Sequence, residues 1–566
     1  LDAEGRKYGR VFLYYDKFSL VNVDGRLFDA EGNKIRSLSK SDINDYAASS
    51  SYSLYDDNRV CVATLYHSIY PYTVETEYEY AYNGYISWPS WYPEERDASV
   101  EYSEYEVRLH LEDQLRYFTT RMDEPVQSED GGVKVYRWVV TGLKPFEPEP
   151  VGPGITDQYR NVRLAPGRFE IDGHAGDLSS WENFGSWFAG LSTGRDKLPA
   201  KIQEEIVGLT AGMTDPKEKI RTLYSRLQET TRYVSVQLGI GGWQPFDATY
   251  VCERGYGDCK ALSNYMIAML KAVNVNAYPA LIYSGTPQRR VIPQFPYNQF
   301  NHMIVFVPLA HDTVWLECTD QTIPMGHLST STENRFALIC GPHMGVLVST
   351  PTSKAEENTQ VRNAMVTVSP NGYCTVELRM TCEGNQQDNV RYGLKDATPK
   401  ERDEWMKRYL EVPAYTLEGA DYSRVDSSTV QIGFDLTLKV PRYATQAGNR
   451  LLFQPNLLER NTYVPKALEK RIHPIVNVYP YLNIDTVVYM FPSGYSVDAL
   501  PKPVIIGTSF ARYESAVVLV TPEILRYVRR MELRQPELSP DRYNEYRKFF
   551  QDVAQADKAM ASMVRK

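Results

Sequence analysis

The sequence predicts an α+β protein in which a central unit, helical first and stranded after, lies between two mainly antiparallel β regions. Three observations carry that reading. Hydrophobic residues alternate with a period of two across residues 1–145. The period becomes helical near residue 180, and the alternating pattern returns from about residue 356. A chain of 566 residues is too long for one core, and roughly two to four domains are expected. We place the divisions at 1–170 for an N-terminal β-sandwich, 171–350 for the central core, and 351–566 for a mainly-β unit with a terminal helix.

In the first region, Tyr105, Val107, Leu109 and Leu111 alternate with Glu104, Glu106, Arg108 and His110, giving a strand with one wet face. His110 is therefore expected in solvent. Tyr72, Val74, Tyr78, Tyr80 and Tyr82 repeat the pattern, with Asn83-Gly84 as its turn. Several such runs between turns suggest a sandwich. Residues 144–154 are proline-rich and can be neither helix nor central strand.

Trp181, Phe184, Trp187, Phe188 and Leu191 then form a helical stripe. Asp215-Pro216-Lys217-Glu218 opens a second helix, with an N-cap acid and proline at its first position. Ile220, Leu223 and Leu227 face inward from it. A third helix follows Asp258 over residues 259–273, with Leu262, Met266, Met269, Leu270 and Val273 on its core side, and a strand over 277–283 comes next. Beyond residue 356, strands are expected over 364–368, 374–380, 430–440, 484–490 and 516–519. Helices are expected over 400–410 and along the tail 541–566, where Tyr543, Tyr546, Phe549, Phe550 and Val553 share one side.

Composition narrows the functional classes. A net charge of −9 disfavours nucleic acid and anionic membranes as main partners, since both require a basic face. No apolar run is long enough to span a bilayer. The N-terminus shows neither signal peptide nor lipidation cysteine, so we expect a processed chain whose leader is missing. Seven cysteines, an odd number in so long a chain, do not make a disulfide framework. Cys374 and Cys382 lie on one expected strand, where a rise of about 3.3 Å per residue separates them too far to pair. No CxxC or HExxH spacing occurs and the eight histidines are scattered, so neither a zinc site nor any cofactor is expected. The 42 tyrosines crowd the first third. Sheet packing is the ordinary reading, and an aromatic surface for a glycan or protein partner is the alternative.

The chemistry centres on Gly255-Tyr-Gly-Asp-Cys-Lys260. Its cysteine falls in the first turn of a helix, where unpaired backbone N–H groups and the helix dipole favour a thiolate, which is a nucleophile at neutral pH. Downstream, Asn301-His302-Met303 supplies an imidazole, and Trp315-Leu-Glu-Cys-Thr-Asp320 supplies Glu317 and Asp320. Cysteine, histidine, then acid is a workable order for nucleophile, base and orienting carboxylate. Cys252 reads as a bystander, His311 and Asp312 as a solvated turn, and Cys318 as core.

Residues 175–350 resemble the core of the transglutaminase-like superfamily, a papain-like cysteine-enzyme fold. The likeness is to its bacterial form, in which the nucleophile sits in Tyr-Gly-Asp-Cys-Lys, here Tyr256 to Lys260. Gly241-Gly-Trp-Gln-Pro245, Phe300-Asn-His302 and Trp315-Leu-Glu-Cys-Thr319 extend the match, and the β flanks look like that family's usual neighbours, with a strand of the type at 70–75. The resemblance implies Cys259 as nucleophile, His302 as base and leaving-group acid, and a carboxylate that orients the ring. Relatives usually read Trp-Leu-Asp-Pro-Thr, which puts Glu317 at the aspartate's place; Asp320, with the usual side-chain length, is the competitor. We favour Glu317. An oxyanion hole would use the Cys259 N–H with Gln244 or Trp243. Ala261 and Glu317 depart from the family's aspartates.

On that basis the expected activity is acyl transfer at amide bonds of a peptide or protein through a thioester, with water as acceptor. A lysine acceptor would instead make it a cross-linking transglutaminase. The alternative of another class is an inactive scaffold whose β domains bind a glycan or a protein. The tyrosine-rich, cysteine-poor flanks suit a bacterial cell envelope, periplasmic or secreted.

Overall fold

The helix Cys259–Ala272 is the buried axis of the central unit in the computed structural model, which describes residues 3–15, 20–48, 53–56, 58–82, 86–237, 239–286, 290–395, 397–425 and 431–566. Its apolar residues are not confined to one stripe. Leu262, Met266, Met269 and Leu270 are fully buried, and Ser263 and Asn264 on the same helix are buried too. A helix buried on all sides must satisfy its polar groups locally. Ser263 Oγ donates to Met303 O at 3.3 Å, and Asn264 Nδ2 donates to Arg195 O at 2.8 Å. Each fully buried Leu or Met contributes about 1.5–3 kcal/mol, so burial rather than helix propensity fixes this element.

Around it lie Trp181–Leu191, Ala200–Leu209, Pro216–Thr230 and Ala248–Arg254. Ser180 and Asp215 cap their helices, accepting from Asn183 N and Lys217 N. Ala200–Leu209 and Ala248–Arg254 were not expected, and Glu253-Arg254 forms the last turn of the second. Gly255 ends that turn in the left-handed region at φ 68°, a conformation glycine adopts without strain. The chain then pairs briefly with 232–233 and starts the cysteine helix at once.

A five-stranded antiparallel sheet backs the helices, in the order Thr313–Leu316, His302–Pro308, Tyr278–Ile282, Phe336–Gly341, Met344–Ser349. Trp181–Leu191 crosses the far edge so closely that a Cβ on Gly345 would lie 1.8 Å from Trp181 O. Helices preceding strands give the α+β order expected. The sheet's histidine strand packs against the cysteine helix.

The N-terminal region is built from short antiparallel sheets. Val100–His110 pairs with Val133–Leu143. Tyr105, Val107 and Leu109 point to a cluster around Trp138, while Glu106, Arg108 and Arg137 pair on the wet face, at 2.7 Å for Arg108–Glu106. His110 is exposed as expected; Leu111 is exposed too, because the strand ends before it. The Asn83-Gly84 turn lies outside the described residues. Arg471 donates to Pro150 O and Val151 O, tying the connector at 144–154 to the C-terminal region.

That region holds an eight-stranded sheet, antiparallel except where Thr359–Val368 runs parallel to Tyr481–Met490. Helix Asn385–Leu394, also unexpected, joins the expected Pro399–Tyr409 on its buried face. Cys374 and Cys382 share one strand, and all seven cysteines are free. The tail departs from the expected long helix. Tyr543–Asp557 is helical with the expected face buried, but Ala561–Arg565 forms a strand between Arg450–Phe453 and Tyr495–Ala499. Burial explains the switch. Ala561 and Met563 alternate into the core, and a continued helix would leave both sheet edges unpaired. At the helix end Asp557 meets the buried Arg529 at 3.0 Å, and Arg529 also contacts Asp485. Met563→Ala is expected to cost about 2–5 kcal/mol in denaturant unfolding, whereas the exposed Met560 replaced by Ala stays within about 0.5 kcal/mol. Equal effects would contradict the strand.

Candidate active site

Three elements meet at one small cavity. Asp258 precedes the cysteine helix and caps it, its Oδ1 accepting from Ala261 N at 2.9 Å. That cap fixes Cys259 at the first helical position, with its side chain at the mouth of the helix. Asn301 exchanges two hydrogen bonds with Ser284, at 2.7 and 2.9 Å, where the chain enters the histidine strand. His302 is therefore held at the strand's first residue. Glu317 follows immediately after Thr313–Leu316, where pairing with the histidine strand ends.

The ring of His302 joins the other two. Its Nε2 lies 2.8 Å from Glu317 Oε2, and the Cys259 sulfur lies near enough to the ring to favour its charged form. With Nε2 taken by the carboxylate, Nδ1 is the nitrogen left for the sulfur. The remaining Glu317 oxygen accepts from Thr319 N at 3.0 Å and Thr319 Oγ1 at 2.6 Å. Tyr224, buried on helix Pro216–Thr230, donates its hydroxyl to Glu317 O at 2.6 Å. The acid is thus fixed at both backbone and side chain. Thr319 and Tyr224 were missed as supports. Thr319 appeared only as a motif letter, and Tyr224 lies 93 positions upstream of the carbonyl it meets.

Asp320 is placed differently. Its Oδ1 accepts from Thr322 N and Oγ1, both at 2.6 Å, and from Ile323 N at 3.2 Å, closing its own turn. His302 is bonded to Glu317 and not to this group.

The electrostatics follow from burial and pairing. Burial is the largest influence on His302 and disfavours the charged ring. The Glu317 carboxylate and the Cys259 sulfur outweigh it and raise the imidazolium well above the ordinary histidine range. Glu317 mirrors this, since burial raises it, but His302 and then Thr319 pull it below the usual carboxylate range. Burial pushes the thiols of Cys318 and Cys340 far up, which leaves both inert as nucleophiles. Cys252 packs among the neighbouring helices, and the exposed Asp312 pairs with Lys217 at 2.5 Å.

The cavity encloses about 320 Å³ and is lined by Cys259, His302 and Lys260 with Trp243, Phe188, Phe300, Leu281 and Met303. Of the two upstream donors considered, Trp243 lines it. Gln244 does not. Its amide oxygen accepts from Arg195 at 2.8 Å and its nitrogen donates to Leu191 O at 3.2 Å, so it holds the upstream loop instead of facing the sulfur. Trp243 packs edge-on to Trp187 and Phe184.

Residues 203–320, which contain Cys259, His302 and Glu317, match the model of the transglutaminase-like superfamily core. Residues 1–147 and 449–561 match two domains of unknown function, DUF3857 and DUF3858. A “putative protease” from Parabacteroides distasonis ATCC 8503 has a similar fold, with TM-score 0.61 and 11% identity over 99% of this chain and 93% of its own. A “putative cysteine protease” from Cytophaga hutchinsonii overlaps 55% of this chain and 80% of its own at 9% identity, with TM-score 0.19, too low to bear on the fold. No curated protein matches the chain.

Because Glu317 is the largest influence raising His302, Glu317→Gln is expected to lower the pH at which the ring loses its proton, read as the His302 signals in an NMR titration. Asp320→Asn is expected to leave that titration unmoved. A shift with Asp320→Asn, or none with Glu317→Gln, would reassign the acid.

Proposed function

The chain belongs to the transglutaminase-like superfamily as a multidomain member, and on that premise we propose that it is a cysteine enzyme that hydrolyses amide bonds in peptides or proteins. One observation carries the reading: a single buried imidazole, bonded to a buried carboxylate, shares the wall of one cavity with a helix-start cysteine that favours its charged form.

The reaction follows from those contacts. With the proton already on His302, the Cys259 thiolate attacks the carbonyl carbon, giving a tetrahedral oxyanion. The Cys259 N–H lies at the helix start, where the dipole favours negative charge, and the Trp243 indole is the side-chain donor we assign to that oxygen. On collapse the C–N bond breaks, His302 protonates the departing amine, and a thioester remains. Water, deprotonated by His302, then attacks the thioester carbon and releases the acid and the thiol. Glu317 stays ionised throughout and holds the ring in place.

Water needs no binding site of its own to reach the thioester, whereas an amine acceptor competes with it only when the protein holds that amine beside the thioester carbon. That favours hydrolysis over cross-linking. The lining suggests a substrate presenting an apolar side chain beside the reacting carbonyl. We take the chain as three functional units divided near residues 170 and 350, with the chemistry in the second. The flanks offer a further reading of a separate kind. Phe12, Tyr14, Tyr46, Tyr78 and Tyr82 are exposed on the N-terminal sheets, and such aromatic faces suit binding of a glycan or protein.

Cys259→Ala is expected to abolish cleavage of a peptide library, and Trp243→Phe to lower kcat by about 100- to 1000-fold with little change in KM. Mass spectrometry of the products, with and without an amine acceptor, separates hydrolysis from transamidation. Undiminished turnover by Cys259→Ala would refute the nucleophile; amine-bearing products in place of free acid would make the protein a cross-linker.

A further inference from the structure

His302 and Glu317 leave a second buried ion pair at the cleft without a role. Asp258 and Lys260, on either side of Cys259 in sequence, are both almost wholly buried and bonded to each other through Oδ2 and Nζ. A lysine at the second position of a helix ordinarily extends its ammonium to water. Here it is drawn back over the first turn to the capping acid and lines the cavity that holds the sulfur and the His302 ring. Burying an isolated pair of charges seldom stabilises a fold. The helix cap accounts for Asp258, but a cap does not require a buried lysine beside it, so the placement of Lys260 calls for another explanation.

Charge order supplies one. Burial is the largest influence on Lys260 and disfavours its charge, but the Cys259 sulfur and then Asp258 outweigh it and keep the ammonium charged. The charged groups at the cleft alternate: Asp258, Lys260, the sulfur, His302, Glu317. The other lining residues (Phe188, Gly242, Trp243, Leu281, Phe300 and Asn301 among them) bring no charge.

We propose that Lys260 is a second cationic partner of the Cys259 thiolate, a positioning residue that stabilises the anionic sulfur independently of His302. The inference rests on Cys259 being the nucleophile. Each cation is backed by its own buried carboxylate, Asp258 behind Lys260 and Glu317 behind His302, so neither is free to neutralise the other's partner. When the sulfur becomes a thioester its charge is gone, and the fixed ammonium then faces the oxyanion that forms from the acyl carbonyl.

The test is iodoacetamide alkylation of the full-length protein at about pH 6 and about pH 9, with peptide mapping of every cysteine. Lys260→Met is expected to slow labelling of Cys259 roughly tenfold at the lower pH and to change it less than about twofold at the higher, where the thiolate forms regardless. His302→Gln is expected to retain low-pH labelling that the His302→Gln/Lys260→Met double variant loses. Lys260→Met leaves Asp258 buried without its partner, so Asp258→Asn/Lys260→Met, which keeps a helix cap and buries no charge, repeats the measurement on a fold checked by circular dichroism. Low-pH labelling of both Lys260 variants at the wild-type rate would overturn the inference while leaving the nucleophile intact. Wild-type Cys259 labelling no faster than Cys252 would instead remove the proposed function itself.

Discussion

A proton held on a buried imidazole is the constraint on which the site depends. Burial alone would strip His302 of its charge, and burial alone would neutralise Glu317. Neither happens, because the ring and the carboxylate lie 2.8 Å apart and the nearby sulfur adds to the pull on the ring's proton. The ring and the carboxylate each make the other's charge tolerable in a place where neither could be charged by itself. The requirement reaches outward into the fold. The carboxylate has a second oxygen, which Thr319 satisfies, and a backbone carbonyl, which Tyr224 anchors from a helix two layers away in sequence. Remove the support and the acid gains freedom to rotate; remove the acid and the ring becomes a neutral base.

Much of this was legible in the chain, and the parts that were not share a cause. The start of the cysteine helix announces itself through Asp258, a capping side chain, followed at once by an apolar run. Helix Pro216–Thr230 does the same through Asp215-Pro216. The two unexpected helices of the central unit announce themselves less plainly: Pro199 precedes the first, and Asp247 precedes the second without a capping hydrogen bond. In Ala200–Leu209 only Ile206 is fully buried while Val207 and Leu209 are exposed, so the hydrophobic pattern misstates which way the helix faces. Ala248–Arg254 is seven residues long, too short for a period to show. The terminal strand was hidden because residues 558–560 contain neither glycine nor proline, and nothing local stops the helix that its neighbours in space require to stop.

Within the site, the identities of Cys259, His302 and Glu317 came from spacing and motif, but the choice between Glu317 and Asp320 did not lie in strand parity. Glu317 follows the strand's last paired residue, so the alternation of a strand no longer governs its direction. Asp320 is withheld from His302 by hydrogen bonds to Thr322 and Ile323, local turn chemistry that a strand-based reading passes over. Gln244 failed for the opposite reason. Its partner, Arg195, is 49 residues away, and no local pattern reveals a contact of that range. Lys260 is the sharpest case. A lysine on the first turn of a helix reads as surface, and only the fold around that turn makes it interior.

The glutamate at 317 shows how a departure from family pattern is absorbed. A side chain one methylene longer than aspartate, attached at the same backbone point, would drive its carboxylate into the ring or bend away from it. Here the backbone leaves the sheet at Leu316, and Glu317 O is bonded to a tyrosine hydroxyl rather than to a neighbouring strand. Freed from the ladder, the main chain can set back the longer side chain. Thr319 then grips the oxygen that does not face the ring, from both its N–H and its hydroxyl. Three hydrogen bonds fix the position of one carboxylate, two on the far oxygen and one to His302 on the near one. The extra methylene therefore leaves the distance that matters at 2.8 Å. On this argument Glu317→Asp alone is not a conservative change. The shorter acid would keep Thr319 or reach His302, but not both, so restoring the family's residue at this position requires the strand end and the Tyr224 anchor to move with it.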